Sequence, residues 1–306
     1  MIEPRALQQM AARCLPGRSK VVVEAVGHGG TTPVYRATRG QQRVFIRLAE
    51  SAGESMAVEA ALHQELRQRG ISVPAVISVE PQQDGIDRGA LVIAEVPGVA
   101  LKDAAGDAIA IDRIAFDLGR DLGRMSHVQI DGFGFVSSTV PAFRGELRSV
   151  QELLLEPAVR GLEGSAGTLA DSLTGDLRDA IEVAEHHLSD TPSVLCHGDM
   201  DSTHVYVADG SYAGIIDLGE AQGAPPLLDV ACWAVHQQQL PVETLPAVIG
   251  GYAETAALPP YASRHIGLLG SLIALKLLDR VNGRGQVAYE AVLRGALPSV
   301  VRMALE

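Results

Sequence analysis

Apolar positions recur along the chain with two periods. Leu7, Met10, Ala11 and Cys14 have helical spacing, and Pro16-Gly17 ends that run. Lys20 to Val26, Val34 to Thr38 and Arg43 to Leu48 then read as strands. Gly27-His28-Gly29-Gly30-Thr31-Thr32 separates the first two, and Arg39-Gly40-Gln41 the next two, which predicts an antiparallel array with a Gly-rich first turn. From Glu54 to Arg69 the helical period returns, with Val58, Leu62 and Leu66 spaced by four and Gly70 as the stop. Residues 72–80 and 89–96 complete the small sheet, and Pro97-Gly98 breaks it. Beyond that point the pattern is mainly helical. Ile114, Leu118, Leu122 and Met125 mark one helix, and further helical patterns cover about 145–163, 174–189, Leu228 to Gln239, Val242 to Thr255 and Tyr261 to Asn282. Asp131-Gly132-Phe133-Gly134-Phe135 reads as a Gly-rich loop.

One stretch in the helical half keeps strand character. Val205 to Val207 and Tyr212 to Ile216 flank Asp209-Gly210, a dipeptide that favours a tight hairpin because Gly supplies positive φ. With Asp209 and Gly210 as the central residues, Val207 faces Tyr212, His204 faces Ile215 and Ser202 lies opposite Asp217. The hairpin therefore carries Asp217 back to the loop that holds His197, Asp199, Asp201 and His204. Two carboxylates with no Lys or Arg near them in sequence repel unless a cation lies between them, so a divalent metal is the economical expectation.

Composition narrows the class. The 306 residues suit one large domain or two lobes, and 47% hydrophobic content is enough for a full core. The most apolar stretch, Ile266 to Leu278, is short for a bilayer crossing and is interrupted by Lys276. Met-Ile-Glu-Pro-Arg lacks the basic-then-apolar order of a signal peptide, and the reading is a cytoplasmic protein without a membrane partner. Cys14, Cys196 and Cys232 are scattered and odd in number, against a disulfide framework. A formal charge of −12 without a basic stripe speaks against a nucleic-acid partner. It leans toward a cationic small-molecule partner, although acidity is also an ordinary solubility device.

His197-Gly198-Asp199, His204 five residues after Asp199, Ile215-Ile216-Asp217-Leu218-Gly219-Glu220 and Asp229-Val230-Ala231 together resemble the aminoglycoside phosphotransferase family. That resemblance implies an α+β, bilobal protein-kinase-like fold: a small antiparallel-sheet N-lobe over 1–97 and a larger, mainly helical C-lobe over 98–306. It also implies O-phosphoryl transfer from ATP or GTP, with Mg²⁺, to a hydroxyl of a small molecule. An antibiotic of the aminoglycoside or macrolide type is the first expectation. A metabolic kinase for a choline-like amine or a sugar, or a non-catalytic kinase-like binding protein, is the alternative.

By the same resemblance Asp199 accepts or orients the hydroxyl proton and Asp217 ligates metal. Arg47, in Val-Phe-Ile-Arg-Leu, pairs with Glu59 and touches donor phosphates. Gly29, Gly30 and Thr31 form the phosphate-facing turn, and the backbone of Ala94 and Val96 holds the base. Because backbone reads the base, ATP and GTP stay equally open. His204 stands where the family has Asn, as in its macrolide branch, and its imidazole suits Mg²⁺ less well than an oxygen ligand does. Asp201, Glu220 and Asp279 are candidate contacts to a cationic acceptor, and Asp229 is expected to cap a helix or brace the catalytic loop. His197, Asp199, His204 and Asp217 could instead bind two metals in a phosphohydrolase, a reading that leaves Arg47 and Glu59 without a purpose.

Overall fold

The computed structural model describes residues 2–26, 32–104, 106–140 and 142–306. Gly29, Gly30 and Thr31 lie outside the described residues. The chain divides into two compact units, one of Met1–Pro97 with Gly214–Gly219, the other of Gly98–Ala213 with Glu220–Glu306.

In the first unit, alternation along each strand builds a two-faced sheet. Strands β1 (Val22–Ala25), β2 (Val34–Arg39), β3 (Gln42–Leu48), β4 (Val76–Glu80) and β5 (Ala90–Ala94) pair antiparallel in the order β1-β2-β3-β5-β4. Val44, Ile46 and Leu48 of β3, with Ala90 and Val92 of β5, pack against Leu7, Met10 and Ala11 of helix α1 (Pro4–Cys14). The opposite parity, Phe45, Leu91 and Ile93, packs with Met56 and Ala60 at the start of helix α2 (Ala57–Gln68). Arg47 shares the parity of Phe45, so the pleat turns it toward the α2 side of the sheet.

The second unit is mainly helical. Helix α3 (Ala108–Met125), capped by Asp107 accepting the N–H of Ala110 at 2.8 Å, packs along α7 (Leu245–Thr255). Their approach is close enough that a Cβ on Gly119 or Gly251 would overlap the facing backbone. The long α8 (Ala262–Val281) packs against α4 (Glu156–Gly164), α5 (Asp171–Leu188), α6 (Leu228–His236) and α9 (Val287–Leu305). Strands β6 (Val99–Ala100), β10 (Val205–Ala208) and β11 (Ser211–Ile215) form one sheet in the order β11-β10-β6. Strands β7 (Phe133–Ser138), β8 (Arg144–Leu147), β9 (Val194–Cys196) and β12 (Gln222–Ala224) form another, ordered β8-β7-β12-β9.

The predicted hairpin is present: Asp209 and Gly210 both have positive φ, 50° and 72°, the turn that matches the twist of paired strands. Three expectations fail. The helix expected over 145–163 begins only at Gln151 with a π-turn and continues as α4, because Arg144–Leu147 pairs with β7 instead. The loop expected at 131–135 is largely strand, its Phe133–Phe135 segment paired with both β8 and β12. Helix α9 has no counterpart among the expected elements: Gly283 and Gly285 precede it and Pro298 lies inside it, and these breakers mask a helix that burial on α8 stabilises.

Candidate active site

In the first unit the register of β3 and α2 brings Arg47 and Glu59 together, with Arg47 Nε 2.8 Å from Glu59 Oε1. Arg47 Nη1 also donates to Asp217 Oδ1 at 2.6 Å. The lack of a cation near Asp217 in sequence is therefore corrected in space: the chain itself supplies one, 170 positions away. Burial alone would lower the Arg47 pKa, but the two carboxylates raise it, so the guanidinium stays charged while only 7% of its side chain is exposed. Asp217 is the reachable member of the trio at 44% exposure. Its backbone sits at φ 66°, an uncommon conformation for a non-glycine residue and one that recurs at functional sites. Gly219 is also needed here: its N–H donates to Asp217 Oδ1 at 3.3 Å, and a Cβ on it would come within 2.6 Å of Arg47 Nη2.

At the end of β5 the ladder with β3 stops at Ala94, paired with Val44, and the Ala94 N–H bonds Ala75 O at 2.8 Å. Val96, mostly buried, lies beyond the paired backbone.

In the second unit one buried carboxylate sets the loop after β9. Asp229, in the first turn of α6, accepts the N–H of His197 at 2.7 Å and of Gly198 at 2.9 Å. Its pKa is raised: burial pushes it up by more than His197 and the two N–H bonds pull it down. Gly198 has φ 86°, and a Cβ there would overlap Glu220 O, so this position requires glycine. Asp199 follows, half-buried, its N–H 3.4 Å from His197 Nδ1; among the described residues its carboxylate receives no hydrogen bond. That leaves the Asp199 oxygens able to accept a proton or a hydroxyl hydrogen bond.

His204 Nδ1 lies 2.7 Å from the Asp199 carbonyl, which can only accept, so Nδ1 carries the hydrogen and Nε2 the lone pair. Asp201 Oδ1 accepts the Thr203 N–H at 2.7 Å and the Thr203 hydroxyl, an Asx turn. Glu220 is 3.5 Å from Arg280, and Asp279 is 3.2 Å from Arg160. All three candidate contacts to a cationic acceptor thus have partners already.

Two neighbours of this loop are absent from the sequence-based expectations. His236 Nδ1 donates to Cys232 O at 2.8 Å, so its Nε2 accepts the hydroxyl of Tyr289 at 3.1 Å. The rings stack at 5.8 Å. Tyr289 belongs to the unexpected α9, so no sequence signal points to it. Lys276 does carry a signal, as the one charge in an apolar run, but that signal bears equally on a membrane span and on a site.

Mg²⁺ takes hard oxygen ligands and completes its shell with water and substrate phosphates, and Asp217 offers such an oxygen donor. No group of three or more His, Cys, Asp or Glu side chains poised for a metal occurs among the described residues. No helix among the described residues is long and apolar enough to cross a membrane.

The model of the phosphotransferase enzyme family matches residues 22–264. The chain belongs to this family. As a phosphotransferase it has the kinase-like fold of solved relatives at low identity. One is a thermostable mutant of aminoglycoside phosphotransferase APH(4)-Ia in ternary complex with ADP and hygromycin B, at 16% identity and TM-score 0.64, covering 94% of this chain and 96% of that one. Another is the macrolide 2'-phosphotransferase MphH from Brachybacterium faecium, at 20% identity and TM-score 0.61, covering 95% and 97%. A third is ADP-bound APH(2'')-Ib, at 14% identity and TM-score 0.61, covering 99% of each chain. No curated protein sequence matches this phosphotransferase.

Proposed function

We propose that this phosphotransferase moves the terminal phosphoryl group of ATP or GTP onto a hydroxyl of a small molecule. The reading assigns the nucleotide to residues 1–97 and the acceptor to 98–306. The observation that carries it is the buried Arg47 held between Glu59 and Asp217 in a chain of this family. A planar guanidinium fixed by a carboxylate is preorganised for bidentate contact with phosphate oxygens. Glu59 positions it, and Asp217 is the partner to be exchanged for donor phosphates.

Phosphoryl transfer asks the protein for in-line placement and for charge neutralisation. Asp199, on a loop pinned by Asp229, orients the acceptor hydroxyl and takes its proton as the oxygen attacks. Mg²⁺ at Asp217 would neutralise charge on the donor phosphates. His204 fixes the loop through its Nδ1–H and leaves Nε2 as a lone-pair donor, a weaker match to Mg²⁺ than the family's usual Asn. The backbone beyond Ala94, at Val96, holds the base, and Gly29, Gly30 and Thr31 contribute the phosphate-facing turn. ADP and hygromycin B are bound in one relative and a macrolide is named as substrate for another, which supports a nucleotide donor and an antibiotic-like alcohol as the first compounds to try.

The test is nucleotide consumption with Mg²⁺ and ATP or GTP across macrolides, aminoglycosides and small hydroxylated metabolites, with Asp199→Ala as control. Acceptor-dependent turnover should fall by about 10²- to 10⁴-fold in the variant while nucleotide affinity holds. Turnover that survives Asp199→Ala would remove Asp199 from this role.

A further inference from the structure

The second unit carries a charge imbalance that bears on the acceptor, and the inference rests on the phosphotransferase reading above. On α8, Lys276, Asp279 and Arg280 lie at i, i+3 and i+4 and so share one helix face. That face borders the catalytic loop, because Arg280 reaches Glu220 at 3.5 Å and the Glu220 carbonyl closes on the backbone of Gly198, next to Asp199. Asp279 is paired with Arg160, Glu220 with Arg280, and Asp201 with the backbone and hydroxyl of Thr203.

Lys276 stands apart. It is partly buried, yet among the described residues it has no ion pair or hydrogen bond, and burial holds its ammonium below the usual lysine range. Cys232 and Glu220 exert the only opposing pull, and Cys232 Sγ sits in a buried setting where the thiol stays protonated. A polycation arriving here would find Glu220 and Asp279 already ion-paired and Asp201 held by Thr203, and an ammonium without an ion pair besides. An anionic oxygen group would find in Lys276 a partly desolvated cation that has the pull of Glu220 but no ion pair or hydrogen bond of its own among the described residues.

We propose that the acceptor of this phosphotransferase bears an anionic oxygen group, a carboxylate or a phosphate, which Lys276 binds beside the hydroxyl presented to Asp199. Tyr289 complements this arrangement: it donates its hydrogen to His236, so its oxygen is left to accept a hydrogen bond from another acceptor hydroxyl. Recognition at this end of the second unit is then one cationic donor and one neutral lone pair, a set suited to a hydroxy acid or a phosphorylated polyol.

The transferred phosphoryl group is a second source of anionic oxygen, so the test separates the two. Calorimetry would follow inorganic phosphate, gluconate and kanamycin binding to the whole protein with Mg²⁺ and AMP-PNP at saturation. Under those conditions the donor phosphates are already in place. Wild type should bind phosphate or gluconate at millimolar concentration, Lys276→Met should lose at least tenfold, Lys276→Arg should retain most of it, and kanamycin should bind more weakly than gluconate. The proposal fails if neither anion binds wild type, if Lys276→Met leaves their affinity unchanged, or if kanamycin binds more tightly and independently of Lys276. A Lys276→Met effect confined to AMP-PNP affinity would assign the ammonium to the donor and overturn the acceptor role. Absence of AMP-PNP binding would instead reject the kinase reading, while the anion titrations on nucleotide-free protein still decide Lys276. Melting curves of both variants establish that they fold.

Discussion

Arg47, buried, and Lys276, partly buried, are cations withdrawn from water, one in each unit, and their surroundings are opposite. Arg47 is held by two carboxylates within 2.8 Å, and they favour its charged form despite burial. Lys276 has no such partner among the described residues, and burial wins. A buried cation ion-paired on one side and hydrogen-bonded on the other is a fixed structural part. One without a counterion destabilises the folded state, and a ligand can relieve that. The same contrast holds for the carboxylates. Glu59 and Asp217 hold a side chain, whereas Asp229 turns both oxygens to backbone N–H groups and so shapes the loop that presents Asp199.

The strongest way to break this comparison is at Asp229. Asp229→Ala leaves two N–H groups buried without an acceptor, and unfolding in urea should show a loss of about 3 kcal/mol, with acceptor-dependent turnover falling further than stability alone explains. An unchanged midpoint would mean that the loop keeps its shape by other contacts.

Glu59→Gln comes next. It keeps the shape of the side chain but leaves Arg47 with Asp217 as its one charged partner. A loss of about 1–3 kcal/mol is expected, together with a nucleotide KM raised about tenfold and an acceptor KM that does not move. A shift in acceptor KM alone would contradict the division of labour drawn between the units.

Lys276→Met sharpens the other side. Because the folded-state pKa lies below the ordinary lysine value, the ammonium destabilises the protein at every pH below that folded value. The cost fades as pH rises through the folded pKa toward the unfolded one. The variant should therefore be more stable at pH 7 by about 1 kcal/mol, and the gain should shrink as melting is repeated at increasingly alkaline pH. A destabilised variant at neutral pH would show that Lys276 has a stabilising partner.

The smallest effect is expected at Arg280→Ala. Its pair with Glu220 spans 3.5 Å and the arginine is 53% exposed, so the change in stability should stay within about 0.5 kcal/mol. Since Glu220 would then be unpaired beside Lys276, calorimetry on this variant should also report weaker anion binding.

Much of the fold is legible in the sequence because its signals are local. The β3 alternation sets which side of the sheet Arg47 faces, and Asp209-Gly210 sets a hairpin whose two central residues do take positive φ. The strands at 133–138 and 144–147 escape such a reading because β7 and β8 form by pairing with each other and with β12, and cross-strand bonds leave no mark in local periodicity. Helix α9 stays hidden for the same kind of reason: its glycines and Pro298 argue against a helix locally, and packing against α8 overrides them.

By itself the sequence determined the family, the alternating sheet and the hairpin, and it singled out Asp199, Asp217, Arg47 and Glu59 as the residues on which the proposed chemistry rests, since types and spacings sufficed for that. Tertiary structure alone decided where charges end up. It placed Arg47 on Asp217 across 170 positions, paired off Asp201, Glu220 and Asp279, and left Lys276 alone among the described residues. Electrostatic energy depends on distance and burial, and neither can be read from order along a chain.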